Sequence, residues 1–164
     1  MKRYIWIFLA VFTFSVLAGC GKSAENFKEP TNFYYITTDV SFFEEDSVIS
    51  PEIRETVQFN GNILTTINAY FQGPASEKLV SPFPAGLEAV DVIISGSTAL
   101  LYLNDPFATL EGLDATIACS CICATITNMT DCEAVEIHIE NTEGTVEQIL
   151  YFSYEDLLFM DSFP

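Results

Sequence analysis

The hydrophobic positions along the chain follow two periods, one typical of strands and one typical of helices. Spacing by three and four residues predicts a helix that carries Ile63, Ile67 and Tyr70 and ends at Gly73-Pro74. The same spacing predicts a longer helix over residues 113–130. Alternating, β-branched and aromatic runs predict strands at 33–38, 87–94, 98–103 and 134–140. Gly96-Ser97 predicts a tight hairpin turn between the second and third of these strands.

Other stretches carry weaker patterns. In residues 48–57, Ser50-Pro51 could cap a helix, whereas Ile53, Glu55 and Val57 alternate with polar neighbours as in a strand. The tail over 145–164 is too apolar to be loose, so we expect it to pack against the domain in a conformation that its pattern does not define. Turns or loops are predicted at 42–46, 75–86, 105–112 and 141–144.

The first twenty residues have the layout of a secretory signal. A basic start, Lys2-Arg3, precedes an apolar stretch, Tyr4 to Gly19, that is shorter than the roughly 20 residues of a membrane-spanning helix. The stretch ends in Leu-Ala-Gly followed by Cys20, which is similar to the lipobox of bacterial lipoproteins. An uncleaved N-terminal anchor helix is the alternative.

The lipobox resemblance implies a signal peptide at 1–19, cleavage before Cys20 and a diacylglyceryl group on the Cys20 thiol. Two acyl chains on one cysteine give stable anchoring, since a single chain binds a membrane only marginally. Residues 20–31 then form a polar, lipidated tether, and we expect the protein on the extracytoplasmic face of the cell membrane.

The charge balance excludes whole classes of partner. Six Lys and Arg stand against 23 Asp and Glu, a net charge of −17, and loss of the two bases Lys2 and Arg3 with the signal peptide shifts it to −19. Such a surface repels phosphate backbones and anionic lipid headgroups, which excludes nucleic-acid binding and docking by a basic patch. The length of 164 residues, of which 49% are hydrophobic, suffices for one domain with a sizeable core.

Candidate catalytic groups are few. The one histidine, His138, lies in an alternation that places it on the outer face of its strand, opposite Val135, Ile137 and Ile139. No Ser-His-Asp or Cys-His pair can form without it, so we expect no enzyme activity. The neighbouring carboxylates are interpreted as a solvated face rather than as an acid–base pair or a Ca²⁺ site: Glu133, Glu136, Glu140, Glu143 and Glu147.

Four cysteines lie near the second predicted helix: Cys119, Cys121, Cys123 and Cys132. On a helix Cys119 and Cys123 share a face while Cys121 points elsewhere, so three thiolates cannot converge on one ion. We favour small core residues. A disulfide such as Cys123–Cys132 and a metal site stay open as alternatives. No metal or cofactor is expected, apart from the covalent lipid on Cys20.

Two motifs follow one another in the chain: Ile67–Pro74, which ends in Gly-Pro, and Ser81–Gly86, which ends in Pro-Ala-Gly. They resemble the end of the first helix and the Pro-x-Gly loop of the GerMN domain, which occurs in sporulation and spore-germination proteins of Gram-positive bacteria. Later matches are the hairpin strands at 90–94 and 99–104, the helix end at 125–129 and the strand at 135–139. The family-motif residues are Gly73, Pro74, Pro84 and Gly86, in a match that covers about 34–141. Tyr102–Asn104 and the four helix-region cysteines depart from the family pattern.

The resemblance implies an α+β fold, a single compact domain over 32–164 with a mixed β-sheet and two helices packed on one face. It also implies a strand at about 52–57 that begins at Pro51 or lies at a sheet edge. The first helix is then expected to start near Asn60, as its N-cap.

The resemblance further implies a non-catalytic protein-interaction or assembly module in sporulation or germination. Its partners would be the cell membrane, through the lipid, and other envelope or sporulation proteins. The charge suggests an alternative, a general extracytoplasmic binding lipoprotein for a cation, a cell-wall fragment or a basic protein. An assembly role predicts expression confined to sporulation, whereas a binding role predicts a ligand-dependent thermal shift.

Overall fold

The computed structural model describes residues 30–38, 48–55 and 62–158. Within these ranges the chain forms seven strands, three α-helices and one 3₁₀ helix. In chain order they are β1 (Thr31–Thr37), β2 (Ile49–Arg54), α1 (Ile63–Phe71), β3 (Leu79–Val80), β4 (Ala89–Ser95), β5 (Thr98–Leu103), the 3₁₀ helix (Asp105–Thr109), α2 (Gly112–Met129), β6 (Ala134–Glu140), β7 (Val146–Ser153) and α3 (Tyr154–Leu158).

The described strands form two sheets. β1 is the central strand of an antiparallel sheet of order β2-β1-β3. The second sheet has the order β4-β5-β6-β7, in which β5 and β6 run parallel and the outer pairs antiparallel. The predicted α+β class is confirmed, but the strands do not join into the one mixed sheet that was expected. Hydrophobic alternation shows which side of a strand is buried, and it does not say which strands pair.

The long helix α2 contacts β1 of the first sheet and β6 and β7 of the second. Every residue from Ala118 to Thr127 is buried, as in a helix covered on all sides. By length and composition alone α2 could cross a membrane, but here the domain's own sheets cover it. The second helix is therefore a core element between two sheets rather than a layer on one face.

Side chains of α2 and α1 complete the hydrogen bonding of β1 where β3 does not reach. The Asn32 N–H donates to Asn128 Oδ1 at 3.2 Å, and the Tyr34 N–H donates to Thr125 Oγ1 at 3.0 Å. The Tyr70 hydroxyl donates to the Tyr34 carbonyl at 2.6 Å. Both backbone groups of Tyr34 are thus satisfied by helix side chains instead of a strand.

This arrangement explains how a proline fits inside β2. Pro51 lies opposite Tyr34, whose N–H and C=O point to α2 and α1 rather than to β2, so the ladder needs no N–H from Pro51. The predicted edge position is confirmed, because β2 pairs only with β1 among the described strands. Of the two alternatives for Pro51 the edge position therefore holds, and the strand spans Ile49–Arg54, earlier than the predicted range of about 52–57.

Both ends of α1 have identifiable caps. Asn62 is the N-cap, and its side chain accepts the Thr65 N–H at 3.0 Å. The expected N-cap, Asn60, was the wrong choice between two asparagines that suit this position equally by type. At the other end Gly73 has φ +95° and donates its N–H to the Tyr70 carbonyl at 3.1 Å, which confirms the predicted helix end.

Most remaining predictions are confirmed, and two loops contain additional structure. The hairpin turns at Gly96-Ser97, and β5 and β6 have their predicted bounds. β3 lies in the predicted loop 75–86, and the 3₁₀ helix in the predicted loop 105–112. Up to Leu158, where the described residues end, the tail forms β7 and α3, and its Leu150, Phe152 and Leu157 pack against the core. The predicted turn at 42–46 lies outside the described residues.

Candidate functional site

The predicted lipidation residue, Cys20, lies outside the described residues, together with the signal peptide and most of the tether. Lipid attachment and cleavage therefore stay predictions. The family-motif residues do lie within the described ranges, and their surroundings show what they hold in place.

The Gly73-Pro74 motif is fixed by Arg54 at the end of β2. The Arg54 Nη2 donates to the Gly73 carbonyl at 2.8 Å, and the same guanidinium forms an ion pair with Glu52. Its carbon lies 5.1 Å from the centroid of the Phe33 ring, which adds a cation–π contact. The strand β2 and the helix end are thereby joined at one point.

Glu52 extends this connection to the next two residues. Its Oε2 accepts the Ala75 N–H at 2.9 Å and the Ser76 N–H at 2.8 Å, beyond its ion pair with Arg54. The Arg54 and Glu52 side chains are 20% and 13% exposed. The pair was missed from sequence, although two opposite charges two residues apart on an alternating strand were the available signal. Its role is structural, because every partner named is a backbone group, an aromatic ring or the other member of the pair.

The second family motif turns the chain between β3 and β4. The Pro84 carbonyl accepts the Leu87 N–H at 3.3 Å, and Gly86 adopts φ +79°. Asn104 Nδ2 donates to the Gly86 carbonyl at 2.9 Å, and Asn104 Oδ1 accepts the Glu88 N–H at 2.9 Å. Asn104, one of the residues that depart from the family pattern, thus supports the loop that carries the motif.

The two motifs meet at an aromatic cluster that consists of Phe33, Tyr35, Tyr70, Phe71 and Phe83. The Phe83 ring lies 4.9 Å from the Tyr70 and Phe71 rings, measured between centroids. The Tyr35 hydroxyl donates to the Tyr70 carbonyl at 2.8 Å. Burial raises the pKa of both Tyr35 and Tyr70, so these hydroxyls stay protonated donors.

A cleft of about 260 Å³ opens beside this cluster. Its walls are apolar except for the Ser81 hydroxyl and the Asp114 carboxylate. The lining residues are Ile36, Ser81, Pro82, Phe83, Pro84, Leu110 and Asp114. The cleft does not bring together an acid, a base and a nucleophile.

All four helix-region cysteines are buried, and none of them is in a disulfide bond: Cys119, Cys121, Cys123 and Cys132. Burial raises the pKa of Cys119 and of Cys121 to about 12, so both are neutral thiols near pH 7. The Cys123 thiol donates to the Phe152 carbonyl at 3.6 Å. Among the described residues no group of three or more His, Cys, Asp or Glu is placed to hold a metal ion. The near-complete burial of all four thiols is that of small core side chains.

His138 lies where the alternation places it, between the buried positions Ile137 and Ile139 on the opposite face of β6. Its Nε2 lies 2.7 Å from Glu136 Oε1, and its ring lies 4.6 Å from the Tyr102 ring, measured between centroids. The His138 side chain is 12% exposed and the Glu136 side chain 31%. The histidine thus contributes to a surface of the sheet.

That surface, which we call the outer face, is the side of the four-stranded sheet turned away from α2. The strand register places two rows of side chains across it. The rows are Ile93–Leu100–Glu136–Tyr151 and Asp91–Tyr102–His138–Ile149. Ile149 is 57% exposed, Tyr151 60% and Ile93 44%, so no described element covers these apolar groups.

The outer face carries carboxylates and no permanent cation. The sheet contributes Asp91 on β4, Glu136 and Glu140 on β6, and Glu147 on β7. The Lys and Arg of the described residues are Arg54 and Lys78, and neither lies on this sheet. The predicted carboxylate face is therefore present. Exposed apolar side chains from neighbouring strands lie between the carboxylates, and the alternation within single strands did not predict this mixture.

The chain matches the family model of the Germane domain, described as sporulation and spore germination, over residues 32–145. No curated protein matches it. A structure similar to this one contains the tandem GerMN domains of the sporulation protein GerM from Bacillus subtilis, with a TM-score of 0.50 and 18% identity. That match covers 81% of this chain and 48% of the tandem structure, so the chain spans about half the length of that structure.

A second similar structure is a protein from Clostridium perfringens that was named as a lipoprotein. Its TM-score is 0.46 at 18% identity, and the match covers 77% of this chain and 90% of that chain. Structural likeness at this identity speaks for the fold alone, whereas the family model spans most of the domain. The chain belongs to the Germane family of sporulation and spore germination proteins.

Proposed function

We propose that the protein is an extracytoplasmic lipoprotein that acts as a non-catalytic interaction module during sporulation or spore germination. The family provides the process. The lipobox-like residues that end at Cys20 support the anchor.

The observation that carries the interaction role is the outer face. Isolated exposed apolar residues are ordinary, but several that share one face of a folded domain are typical of an interaction surface. Ile93, Tyr151 and Ile149 are exposed on one sheet face, in two adjoining cross-strand rows. By contrast, the cleft beside the aromatic cluster brings together no acid, base and nucleophile, so the outer face carries the proposal.

The lipid would act through local concentration. A protein confined to a membrane surface meets other envelope proteins at an effective concentration far above its average in solution, so a modest interface is sufficient. The membrane itself is not the expected partner of the outer face, because carboxylates repel anionic headgroups.

The test is crosslinking of the tagged, lipidated full chain in sporulating cells of its own host, followed by identification of the attached proteins. The proposal would be supported if the adducts contain sporulation or germination proteins and if these adducts do not form in growing cells. Equal protein levels in growing cells, with only abundant envelope proteins attached, would contradict it. A ligand-dependent thermal shift would then favour a general binding lipoprotein.

A further inference from the structure

The outer face combines two properties that together restrict what can cover it. Its apolar groups include aliphatic side chains from three strands: Ile93, Leu100 and Ile149. Among them Asp91 and Glu136 place one carboxylate in each cross-strand row. A complementary surface must therefore be apolar and must also carry positive charge.

We propose that the outer face docks a second protein through an amphipathic segment in which Lys or Arg side chains alternate with aliphatic ones. This inference rests on the proposed function for the existence of a partner and specifies its chemistry. The cations must come from the partner. Among the described residues only Lys78 and Arg54 carry a permanent positive charge, and Arg54 is already bonded to Glu52 and to the Gly73 carbonyl.

The same charges disfavour other occupants. A second copy of this chain would bring the same carboxylates to the interface without a described Lys or Arg on its sheet, and like charges across an interface are repulsive. A sugar chain would need flat aromatic platforms, whereas most apolar groups here are branched aliphatic side chains.

The Glu136 carboxylate, which is held in place by His138, gives the partner's cations a defined place to bind. Its ring is held between Tyr102, at 4.6 Å between centroids, and the Glu136 carboxylate, at 2.7 Å. One carboxylate oxygen of Glu136 is engaged with His138. Because the Glu136 side chain remains 31% exposed, it can also accept from an incoming guanidinium or ammonium group.

The experiment uses two exposed tyrosines three residues apart. Tyr151 lies on the outer face and is 60% exposed, whereas Tyr154 begins α3 and is 49% exposed. Each is replaced in turn by the photoreactive p-benzoylphenylalanine in the lipidated full chain, and the host is irradiated during sporulation and during growth. We expect an adduct from position 151, attached to a partner peptide that contains Lys or Arg, and little adduct from position 154.

Charge variants test the electrostatic part. Asp91→Lys with Glu136→Lys should lower the adduct from position 151 by about tenfold. The matched control, Glu55→Lys with Glu77→Lys, changes the net charge equally at exposed positions away from the sheet and should alter it by less than about twofold. A milder pair, Asp91→Asn with Glu136→Gln, guards against the case in which the lysines disturb folding. It removes the two charges but keeps hydrogen-bond acceptors at both positions, and it should lower the adduct from position 151 several-fold.

Several results would overturn the inference: adducts of equal yield from both tyrosines, no adduct from either, an adduct of twice the chain mass, an attached glycan, or equal loss in the control pair. An adduct with the expected charge dependence in growing cells alone would support the docking face while contradicting the sporulation role. The two proposals can therefore fail separately.

Discussion

The side-chain amide of Asn68 in α1 bonds to the backbone of Ala89 in β4 as a neighbouring strand would. Its Nδ2 donates to the Ala89 carbonyl at 3.0 Å, and its Oδ1 accepts the Ala89 N–H at 2.8 Å. Ala89 is buried and lies on the edge strand of the four-stranded sheet. One side chain therefore satisfies both polar groups of a buried edge residue and joins α1 to the sheet.

Replacement of Asn68 by Ala should destabilise the fold by about 1–3 kcal/mol, because it leaves a buried N–H and C=O without partners. Urea unfolding of the purified protein measures the change. The control is Gln72→Ala, at an exposed position of the α1 C-cap, where we expect a change within about 0.5 kcal/mol. Equal losses in the free energy of unfolding for the two variants would show that the Asn68 hydrogen bonds do not stabilise the fold.

Arg54→Ala should cost about 2–3 kcal/mol, because it removes charge-assisted bonds and leaves Glu52 largely buried without its cation. Arg54→Lys should recover only part of this loss, since an ammonium group lacks the planar fork and stacks less well on Phe33. Denaturant unfolding provides the comparison, with exposed Lys78→Ala as the control. If the two alanine variants unfold at the same midpoint, the connection from β2 to the helix end does not stabilise the domain.

Gly73→Val should destabilise by about 1 kcal/mol or more, because Gly73 has φ +95°. A Cβ at this position would lie 3.6 Å from Ser81 Cβ, an ordinary contact, so the cost arises from the backbone conformation and not from crowding. Gly73→Asn should therefore lose clearly less stability than Gly73→Val, since asparagine tolerates the left-handed region better than valine. The thermal midpoints of the two variants decide the matter, and equal losses would point to crowding instead.

The buried thiols predict an alkaline limit to stability. Burial raises the pKa of Cys119 and Cys121 from 9.0 to about 12, so unfolded thiols ionise first as the pH rises. Their contribution is fully present below pH 9 and should be lost between about pH 9 and 12. Unfolding midpoints across this range measure it, and Cys119→Ala with Cys121→Ala should flatten the decline. An identical decline in that variant would assign the effect to the buried tyrosines, whose raised pKa values act in the same direction.

Cys20→Ala should leave an unprocessed and unlipidated precursor, because the predicted lipid is attached to the thiol before the signal peptide is removed. Labelling of cells with a fatty-acid analogue and the gel mobility of the chain measure both steps. Cys132→Ala is a matched control, since this buried thiol lies in the folded domain. Normal processing of the Cys20 variant would remove the lipoprotein proposal.

The strand and helix positions followed from the sequence because each has a local cause. In β5 and β6 the alternation reflects one buried face of each strand. Gly73 marks the helix end because the residue that follows the helix there adopts a left-handed backbone conformation, which favours glycine. The family resemblance supplied the fold class and the extended state of β2. Neither source supplied the division into two sheets, because it depends on which strands pair across the core.

The candidate site was predictable in part. The outer position of His138 followed from alternation, but its contacts with Glu136 and Tyr102 depend on cross-strand register. The apolar tail is expected to pack against the domain, but in β7 only Leu150 and Phe152 do so, because a strand turns alternate side chains to each face and leaves Ile149 and Tyr151 exposed. The Arg54–Glu52 pair was hidden because its backbone partners come from a different segment.

The bonds between β1 and α2 also determine the order in which the domain can be completed. The side-chain acceptors for Tyr34 and Asn32 lie 91 and 96 residues further along the chain. A polypeptide that emerges from its amino end exposes β1 early, but the N–H groups of Asn32 and Tyr34 lack their α2 acceptors until Asn128 has followed and the helix has formed. The earliest strand to emerge is thus among the last to be secured, and nascent chains shorter than about 130 residues should remain sensitive to proteases there.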